Sequence, residues 1–427
     1  MEVRTYPTGH FQGTVKVPGD KSISHRALMI ASISTGRSVI RGLLTADDPQ
    51  STIGCIRNLG IPVESKNNEL LITGKGKRGL TPPTTFLDCG NSGTTMRLMT
   101  GILVGQAFAS ELRGDRSLSR RPMKRVIDPL VQLGARIEAT REFTAPLKIS
   151  GGHPLRGIRY ELPVASAQVK SAVLFAGLYA DGATRVVESV QTRDHTERML
   201  GLKVLNDGEN SIVETNGNIE LVGRDFVVPG DISSAVFLIV AAIVSQKSNL
   251  RVHRVGLNPT RTAVLDLLRS LGADIQIENT AEVAGEPFGD LVVRHSNMSP
   301  GMKINSVMVP GVVDEIPALA VLAATCGMSF ELSGATELRN KESDRIAALV
   351  RNLRSMGLNV DERPDGFNFE GKNELRGCTV ESFGDHRIAM AFGVAGLKVP
   401  GILISGAECA EISFPHFWET LSRLCGN

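Results

Sequence analysis

One module recurs six times along the chain, and this repetition constrains the fold more than any other feature of the sequence. In each copy a short extended segment leads to a small polar or acidic residue, and a strongly apolar stretch of helical length follows. The markers of the six copies, 65 to 83 residues apart, are Asp20, Asn91, Ser166, Asp231, Asp314 and Asp385. Repeats of this length are supersecondary units rather than short solenoid turns.

A second helical pattern lies between most of the apolar stretches, and it is amphipathic. It ends in Gly and an extended segment, as in RNLGIPVE from Arg57, VQLGARIEA from Val131, RSLGADIQI from Arg269 and LRSMGLNVD from Leu353. Gly immediately after a helix is a common C-terminal cap. Each repeat therefore predicts a β-α-β-α-β-β unit, and the whole chain predicts an α/β fold.

The first helix of each repeat is apolar nearly all round, most clearly in the segment 235–244, AVFLIVAAIV. Such a helix belongs in the interior. Because 427 residues exceed one ordinary core, we expect two domains, each with three buried parallel helices wrapped by sheets. The six helix N-termini would then converge on a cleft and offer N–H groups and partial positive charge to anions.

The small polar residues at the helix starts have a simpler explanation, in which they act only as N-terminal caps. Their neighbours favour anion binding, because basic or amide side chains lie within or beside the first turn of four of the helices. These are Lys21, Arg26, Arg97, Gln168, Lys170, His386 and Arg387.

Composition excludes several function classes. The formal net charge is +2, from 47 basic and 45 acidic residues, and only 4% of residues are aromatic, which argues against nucleic-acid binding. Six scattered cysteines without a C-x-x-C pair indicate reduced thiols. The N-terminal residues lack the apolar core of a signal peptide, and no apolar run is long enough to span a membrane. We expect a cytoplasmic protein.

Other site types are not supported by the sequence. Gly74 to Gly79 matches G-x-G-x-x-G, but Pro82 and Pro83 follow where a Rossmann helix would begin, which predicts a basic loop between strands. The eight histidines have no H-x-H or H-E-x-x-H spacing, so no metal site is expected. Cys89 is predicted to be a small buried thiol behind a helix cap rather than a nucleophile.

Four clusters carry chemistry: PGDKSISHR from Pro18, GDRSLSRRP from Gly114, ELRNKESDR from Glu337 and GDHR from Gly384. Each alone has a structural explanation, such as an ordinary surface pair between Glu342 and Arg345. Together and in this order they resemble the 5-enolpyruvylshikimate-3-phosphate synthase family. Further matches are GNSGTTMRL, SAQVKSA, RDHTERM and DEIP, and SAQVK, RDHTE and NPTR resemble the bacterial class II branch.

The resemblance implies a two-domain inside-out α/β barrel of six β-α-β-α-β-β repeats. Residues 21–228 would form one domain and residues 1–20 with 229–427 the other, with the active site in the interdomain cleft. It further implies transfer of the enolpyruvyl group of phosphoenolpyruvate to the 5-hydroxyl of shikimate 3-phosphate, in the shikimate pathway to chorismate and aromatic amino acids. The enzyme would act as a monomer without a metal or organic cofactor, close its domains on substrate, and be the target of glyphosate.

The resemblance also implies a role for individual residues. The residues for shikimate 3-phosphate are Lys21, Ser22, Arg26, Ser166, Ala167, Gln168, Arg193, Asp314 and Lys341. The residues for phosphoenolpyruvate are Lys21, Gly93, Arg121, Gln168, Arg345 and Arg387, and further candidates are Asn91 and His386. In catalysis, Glu342 would donate a proton to the methylene carbon, Asp314 would act as the base for the hydroxyl, and Lys21 and Lys341 would assist. Arg suits the four anionic groups of the two substrates because its planar fork binds carboxylate and phosphate in a bidentate manner.

One departure from the family pattern lies near the C-terminus. Many members carry Lys shortly before a terminal T-F-P or S-F-P, and this chain has Ile412 before Ser413-Phe414-Pro415. Loss of that positive charge would weaken the binding of phosphoenolpyruvate or glyphosate, so we hypothesise reduced glyphosate sensitivity, although Gly93 leaves the inhibitor room.

Two alternatives remain open at this stage. One is the enolpyruvyl transferase that acts on UDP-N-acetylglucosamine, which generally has a reactive Cys or Asp in the loop corresponding to residues 114–121; here that loop contains Asp115 but no Cys. The other is a non-catalytic anion-binding protein on the same fold. Asp314 and Glu342 argue against it, because pure anion binding has no need of carboxylates among phosphates.

Overall fold

The computed structural model describes residues 1–67, 69–371 and 374–426, in which short strands alternate with helices. The first part contains, in chain order, β1 (Glu2–Arg4), β2 (His10–Val15), α1 (Lys21–Ile33), β3 (Thr35–Arg41), α2 (Asp47–Asn58), β4 (Val63–Lys66), β5 (Glu69–Lys75), β6 (Leu87–Asp88), α3 (Gly93–Leu103), β7 (Ser110–Arg113), α4 (Lys124–Gln132), β8 (Arg136–Glu138), β9 (Leu147–Ser150), β10 (Arg159–Glu161), α5 (Ala167–Gly177), β11 (Ala183–Glu188), α6 (His195–Leu200), β12 (Lys203–Asn206), β13 (Ser211–Asn216) and β14 (Phe226–Val227).

The second part continues the alternation. It contains α7 (Ile232–Val244), β15 (Lys247–Gly256), α8 (Ala263–Ser270), β16 (Ile275–Val283), β17 (Glu286–Arg294), β18 (Gly301–Ile304), α9 (Val309–Val312), α10 (Ile316–Thr325), β19 (Ser329–Leu332), α11 (Arg345–Ser355), β20 (Val360–Arg363), β21 (Gly366–Phe369), β22 (Thr379–Glu381), α12 (His386–Ala395), β23 (Leu403–Ser405) and α13 (Phe417–Leu424). Short 3₁₀ helices cover Leu118–Arg120, Thr336–Asn340 and Ala407–Ile412.

The chain is divided into two compact units. We call Gly19–Val228 with Glu282–Glu286 the N-terminal unit, and Met1–Pro18, Pro229–Ala281 and Pro287–Asn427 the C-terminal unit. The sequence did not predict that Glu282–Glu286, at the turn between β16 and β17, would group with the N-terminal unit. A buried contact accounts for it, because Nδ1 of His195 lies 2.8 Å from Oε1 of Glu286.

Each unit has three small sheets, and the predicted α/β repeats are confirmed. The sheets of the N-terminal unit have the orders β14-β3-β5-β4, β6-β7-β9-β8 and β10-β11-β13-β12. In each, the first pair of strands is parallel and the remaining pairs are antiparallel. The second and third sheets place a buried helix, α3 or α5, between the two parallel strands along the chain, as a β-α-β connection requires.

The sheets of the C-terminal unit have the orders β16-β17-β15-β2, β18-β19-β21-β20 and β1-β23-β22. The last repeat departs from the β-α-β-α-β-β pattern. After β23 the chain forms a 3₁₀ helix and α13 instead of a strand hairpin. The N-terminal strand β1 pairs antiparallel with β23, so the start of the chain supplies one of the strands that the end does not.

The glycine turns behave as the sequence predicts. The amphipathic helices α2, α4, α8 and α11 are each followed within two residues by a Gly of positive φ, namely Gly60, Gly134, Gly272 and Gly357. The G-x-G-x-x-G pattern begins at the end of β5 and continues into a turn, so the prediction of a loop between strands is confirmed.

Two hydrophobic cores hold the units, and each is built around three buried helices. Every residue of α7, α10 and α12 is buried. In the N-terminal unit α3 and α5 approach so closely that a Cβ on Gly101 would lie 2.2 Å from the carbonyl oxygen of Ala172. Small residues at such positions allow helix backbones to meet, and a larger side chain would force them apart.

Gly101→Ala should therefore destabilise the protein by about 1–3 kcal/mol, because the clash is with backbone that cannot rotate away. Gly54→Ala in α2 is the matched control, since a Cβ there has nothing within 4 Å, and Ala is better than Gly in a helix by roughly 0.5–1 kcal/mol. Urea unfolding of both variants measures the difference. Equal stability of the two variants would contradict the close helix packing.

A buried hydrogen-bond chain joins the first three helices. Nδ1 of His25 lies 2.7 Å from Oγ1 of Thr52, which lies 2.7 Å from Oγ1 of Thr95. The hydroxyl of Thr95 donates to Oγ of Ser92, the cap of α3. His25 is fully buried, and this burial lowers its pKa to about 3. The imidazole is therefore neutral in the folded protein over the whole range in which it would titrate when exposed.

This predicts a pH-dependent stability. Since the unfolded chain binds a proton at His25 below about pH 6.5 and the folded protein does not until about pH 3, stability falls as pH is lowered between these values. The slope from this group approaches about 1.4 kcal/mol per pH unit. Urea unfolding of the wild type and of His25→Gln between pH 7 and 4 tests it: the variant should show a shallower dependence, and parallel curves would contradict the assignment.

Candidate active site

The predicted anion-binding residues of the N-terminal unit lie at the starts of its buried helices or in adjoining loops. Lys21, Ser22 and Arg26 are in the first turns of α1, Gly93 begins α3, and Ala167 and Gln168 begin α5. Arg121 and Arg193 are in the loops that precede α4 and α6. We call these residues, together with Ser166, the N-terminal cluster.

Side-chain contacts join the parts of this cluster. Arg26 donates from Nε to Oγ1 of Thr196 at 2.7 Å and from Nη2 to Oγ of Ser171 at 2.7 Å, which links α1 to α6 and α5. Burial lowers the pKa of Arg26 to about 10, opposed by Glu197 and other carboxylates and assisted by the charge of Arg193. Arg26 thus remains a cation at neutral pH, and Arg193 is close enough to act on it.

The start of α3 carries a second group of cations. A Cβ built on Gly93 would lie 2.9 Å from Nη1 of Arg97 and 3.5 Å from Nη1 of Arg121. Arg97 also donates to Oε1 of Gln168 at 2.7 Å, and Gln168 donates to Oγ1 of Thr94 at 2.9 Å. Two guanidinium groups therefore border the first turn of α3, and Gln168 of α5 is held against that turn. Such a turn with its free N–H groups suits an anion.

Lys21 is the remaining cation of the cluster. Its Nζ lies 3.0 Å from Oδ2 of Asp48, and both side chains are largely buried. A carboxylate at this distance is a charge-assisted hydrogen-bond partner for the ammonium group.

The helix caps differ from the simplest expectation at two of the six markers. Asp20, Ser166, Asp231 and Asp385 accept from the backbone of their helices. Asn91 does not cap α3, because its amide binds Asp115 and its oxygen accepts from Arg121 at 2.5 Å, and Ser92 caps instead. Asp314 does not cap α10 either, because its carboxylate faces two arginines. Both exceptions are side chains committed to cations.

The predicted residues of the C-terminal unit gather around Arg345, the first residue of α11, whose side chain is 1% exposed. Its Nε donates to Asp385 at 2.8 Å and its Nη2 to Glu342 at 2.7 Å, and Nη1 lies 3.3 Å from Asp314. Burial opposes the charge of Arg345, but Asp385, Glu342 and Asp314 outweigh it and raise its pKa. We call Asp314, Lys341, Glu342, Arg345, Asp385, His386 and Arg387 the C-terminal cluster.

Arg387 completes the cluster from the first turn of α12. Its Nη1 donates to the backbone oxygen of Asp314 at 3.0 Å, and its Nη2 lies 3.8 Å from Oδ2 of that residue. His386 is buried beside it. Burial alone would raise the pKa of Asp385. The interactions with Arg345 and His386 outweigh this effect, so the pKa of Asp385 is lowered. Asp314 and Glu342, predicted to be base and acid, are thus held on one guanidinium.

Lys341 pairs with a carboxylate of the preceding 3₁₀ helix. Its Nζ lies 2.7 Å from Oε1 of Glu337, one turn earlier, where the lysine is 21% exposed. In this structure the ammonium group is therefore held by Glu337 at the edge of the cluster.

Sequence reasoning left two residues of this region, Asp385 and Arg97, without a specific role in the site. The sequence indicates Asp385 only as a cap, yet it is the carboxylate that lies closest to Nε of Arg345. The sequence indicates Arg97 as a basic residue near the start of α3 but assigns it no ligand, although its Nη1 lies closer to the position of a Cβ on Gly93 (2.9 Å) than that of Arg121 does (3.5 Å). Helical spacing could have found Arg97, because it lies one turn after Gly93 on the same face.

Other predicted features are also located. Cys89 is buried behind α3, as predicted, and Cys55 and burial raise the pKa of its thiol. Within residues 1–67, 69–371 and 374–426, no three His, Cys, Asp or Glu side chains form a group that could hold a metal ion. The same ranges contain no helix that is long and apolar enough to cross a membrane.

Comparison with known proteins identifies the family. The family model of EPSP synthase (3-phosphoshikimate 1-carboxyvinyltransferase) matches residues 5–421. A 3-phosphoshikimate 1-carboxyvinyltransferase from Salinibacter ruber is 50% identical over 97% of both chains, and one from Solibacter usitatus is 48% identical over 99% of this chain and 100% of its own. The solved EPSP synthase from Acinetobacter baumannii is 42% identical, with a TM-score of 0.88 over 99% of this chain and 98% of its own.

A more distant structure shares the fold alone: the enolpyruvyl transferase NikO from Streptomyces tendae is 15% identical, with a TM-score of 0.77 over 99% of this chain and 96% of that one. The repeats, the two clusters of cations at helix starts and the full-length matches agree, and the chain belongs to the EPSP synthase family.

Proposed function

We propose that this chain transfers the enolpyruvyl group of phosphoenolpyruvate to the 5-hydroxyl of shikimate 3-phosphate, with release of phosphate. The observation that carries the proposal is the placement of Asp314 and Glu342 on the same buried Arg345. A protein that only binds anions gains nothing from two carboxylates in its cationic site, whereas proton transfer to carbon and from a hydroxyl requires an acid and a base.

The N-terminal cluster is proposed to bind shikimate 3-phosphate. Ser22 and Arg26 would hold its carboxylate, and Lys21 would contact both substrates. The phosphate would be held by Ser166, Ala167, Gln168 and Arg193. The start of α5 supports this role, because N–H groups at a helix N-terminus are favourable partners of phosphate. The contacts of Arg26 with Thr196 and Ser171 support it too, because they fix the direction of the guanidinium before substrate arrives.

Phosphoenolpyruvate is proposed to be bound by residues of both units. Gly93, Arg121, Lys21 and Gln168 would act from the N-terminal cluster, and Arg345 and Arg387 from the C-terminal cluster, with Asn91 and His386 as further candidates. This division leads us to propose an active site in a cleft between residues 21–228 and the remaining chain, closed by the substrates' negative charge. A site assembled by closure also excludes water from the reacting groups.

The chemistry follows from the two carboxylates. Glu342 donates a proton to the methylene carbon of phosphoenolpyruvate while Asp314 takes the proton of the attacking 5-hydroxyl, and the new C–O bond gives a tetrahedral ketal phosphate. Lys21 and Lys341 assist with charge. Loss of phosphate with removal of a proton from the new methyl group restores the double bond in the product. Because the chain supplies both the acid and the base, the proposed reaction uses no metal or organic cofactor. We also propose that the enzyme is a cytoplasmic monomer.

The direct test mixes the purified protein with shikimate 3-phosphate and phosphoenolpyruvate and measures released phosphate. We expect release that depends on both compounds. A parallel reaction with UDP-N-acetylglucosamine in place of shikimate 3-phosphate should release none. Release only with the UDP-sugar would support the other enolpyruvyl transferase, and no release with either would support a binding protein.

Glu342→Gln and Asp314→Asn should each lower kcat by about 10²–10⁴, the usual contribution of a general acid or base, with smaller changes in KM. Asp361→Asn is the matched control, because Asp361 is an exposed carboxylate of the same unit in a pair with Arg363. Steady-state kinetics distinguishes them. If both active-site variants kept wild-type kcat, the assignment of the acid and base would be wrong.

The departure at Ile412 gives a prediction for glyphosate, the proposed inhibitor. Ile412 ends a 3₁₀ helix and is partly buried against the core of the C-terminal unit. Ile412→Lys should lower the glyphosate inhibition constant and the KM for phosphoenolpyruvate, because it adds the positive charge that many family members have. Ile412→Met is a control for loss of the isoleucine shape. An inhibition constant that is unchanged by Lys would reject the hypothesis.

A further inference from the structure

Two motifs of the sequence, SAQVK and RDHTE, are joined by a buried ion triad. Lys170, the last residue of the first motif, has a side chain that is 0% exposed. Its Nζ lies 2.7 Å from Oε1 of Glu188 and 2.6 Å from Oε1 of Glu197, the last residue of the second motif. Both carboxylate side chains are 3% exposed. None of these three residues belongs to the proposed substrate contacts.

The triad closes the loop that carries Arg193. Glu188 is the last residue of β11 and Glu197 is in the first turn of α6, so Lys170 binds the chain on both sides of the loop. Oε2 of Glu188 also accepts from the hydroxyl of Thr192 at 2.8 Å and from its N–H at 3.3 Å. On the other side of Arg193, Asp194 lies 2.8 Å from Nε of Arg198. The residues on either side of Arg193 are therefore fixed.

The same triad supports Arg26. Thr196, which directly precedes Glu197, accepts from Nε of Arg26, and Ser171, which directly follows Lys170, accepts from Nη2. The hydroxyls of Thr196 and Ser171 lie 2.7 Å apart. Ser171 and Thr196 thus hold the guanidinium of Arg26, which is proposed to bind the substrate carboxylate. The loop between Glu188 and Glu197 carries Arg193, which is proposed to bind the phosphate.

A buried pair is weak evidence for net stability, because desolvation offsets the attraction of the charges. Removing one partner is costly, however, since the remaining charge loses its counterion in an apolar setting. Here one lysine faces two acids, burial raises the pKa of Glu197, and Oε2 of Glu197 has no hydrogen-bond partner within the part of the chain that the structure describes. Such an arrangement specifies a geometry more than it adds stability.

We propose that Lys170 is a positioning residue for the shikimate 3-phosphate half of the site, acting through Glu188 and Glu197 on Arg193 and Arg26. The inference rests on the proposed function. The two motifs then share one role, because the lysine of one and the glutamate of the other hold the arginines in the direction that the substrate requires.

The test is steady-state kinetics of Lys170→Met with a thermal melt of the same sample. We expect the KM for shikimate 3-phosphate to rise by about 10- to 100-fold, the range for loss of a residue that orients direct ligands. The KM for phosphoenolpyruvate should change less than about twofold, since its proposed arginines lie in the loop before α4 and at the starts of α11 and α12. Equal increases for both substrates would overturn the proposal.

Lys77→Met separates positioning from general destabilisation. Lys77 is in the same unit and its Nζ donates to the carbonyl oxygens of Leu178 and Gly217, at the opposite end of α5 from Ser166. This control should lower the melting temperature without changing the KM for shikimate 3-phosphate. If both lysine variants lowered the melting temperature and raised that KM alike, the effect would be structural and the proposal would be wrong.

Glu197→Gln serves if Lys170→Met does not fold, because it keeps an oxygen near Lys170 and leaves the pair with Glu188. It should raise the KM for shikimate 3-phosphate severalfold and leave that for phosphoenolpyruvate unchanged, and no change in either would overturn the proposal.

A last experiment measures the coupling between Arg193 and the triad. In an Arg193→Gln background, either triad variant should add less than it does alone, because residues that act through one another are not additive, and full additivity contradicts the proposal. Failure of the wild type to release phosphate would instead reject the proposed function.

Discussion

The structure depends on helices that are buried along their length and polar only where they begin. Every residue of α7, α10 and α12 is buried, so their backbone groups must be satisfied internally except at the first and last turns. At the N-terminal ends this requirement is met by caps and by side chains that carry charge. The proposed site residues of α1, α3, α5 and α12 therefore lie near the starts of these helices, because that is where a buried helix leaves hydrogen-bonding capacity.

Cations placed close together repel one another, and carboxylates of the same chain offset this repulsion. Arg345 is held by Asp385, Glu342 and Asp314, and Lys170 by Glu188 and Glu197. Each set places carboxylates against a buried basic side chain and fixes its direction. In the C-terminal cluster two of the carboxylates are also the proposed acid and base, so charge balance and chemistry use the same groups. In the N-terminal unit we propose only a positioning role for the carboxylates of the triad.

Much of this could be predicted from the sequence. Six apolar helices with polar starts, the Gly turns after the amphipathic helices and the order of the motifs led to the α/β repeats and to the family. The sixth repeat could not be predicted from periodicity, because its missing strand is supplied by β1, about 400 residues away in the sequence. Asn91 and Asp314 were also unpredictable as exceptions among the caps, since local sequence does not reveal that arginines of distant segments reach them.

The contacts of the triad could not be predicted from the sequence either. SAQVK and RDHTE are recognisable as separate motifs, and only the fold brings Lys170 to Glu197. Buried pairs between elements depend on how helices and strands pack, and neither residue type nor spacing along the chain encodes that contact. Family resemblance can identify the motifs, but the contact between Lys170 and Glu197 is visible only in the three-dimensional structure.

We propose a division of the anions in which shikimate 3-phosphate binds to the N-terminal cluster and phosphoenolpyruvate to arginines of both clusters. A crystal structure of the protein with shikimate 3-phosphate and an unreactive analogue of phosphoenolpyruvate would test it most directly. The account predicts the phosphate of shikimate 3-phosphate within hydrogen-bond distance of Ser166, Gln168 and Arg193. It also predicts Arg345 and Arg387 on the analogue, and Asp314 beside the 5-hydroxyl. Both ligands bound to one cluster alone, or shikimate 3-phosphate bound away from the start of α5, would contradict it.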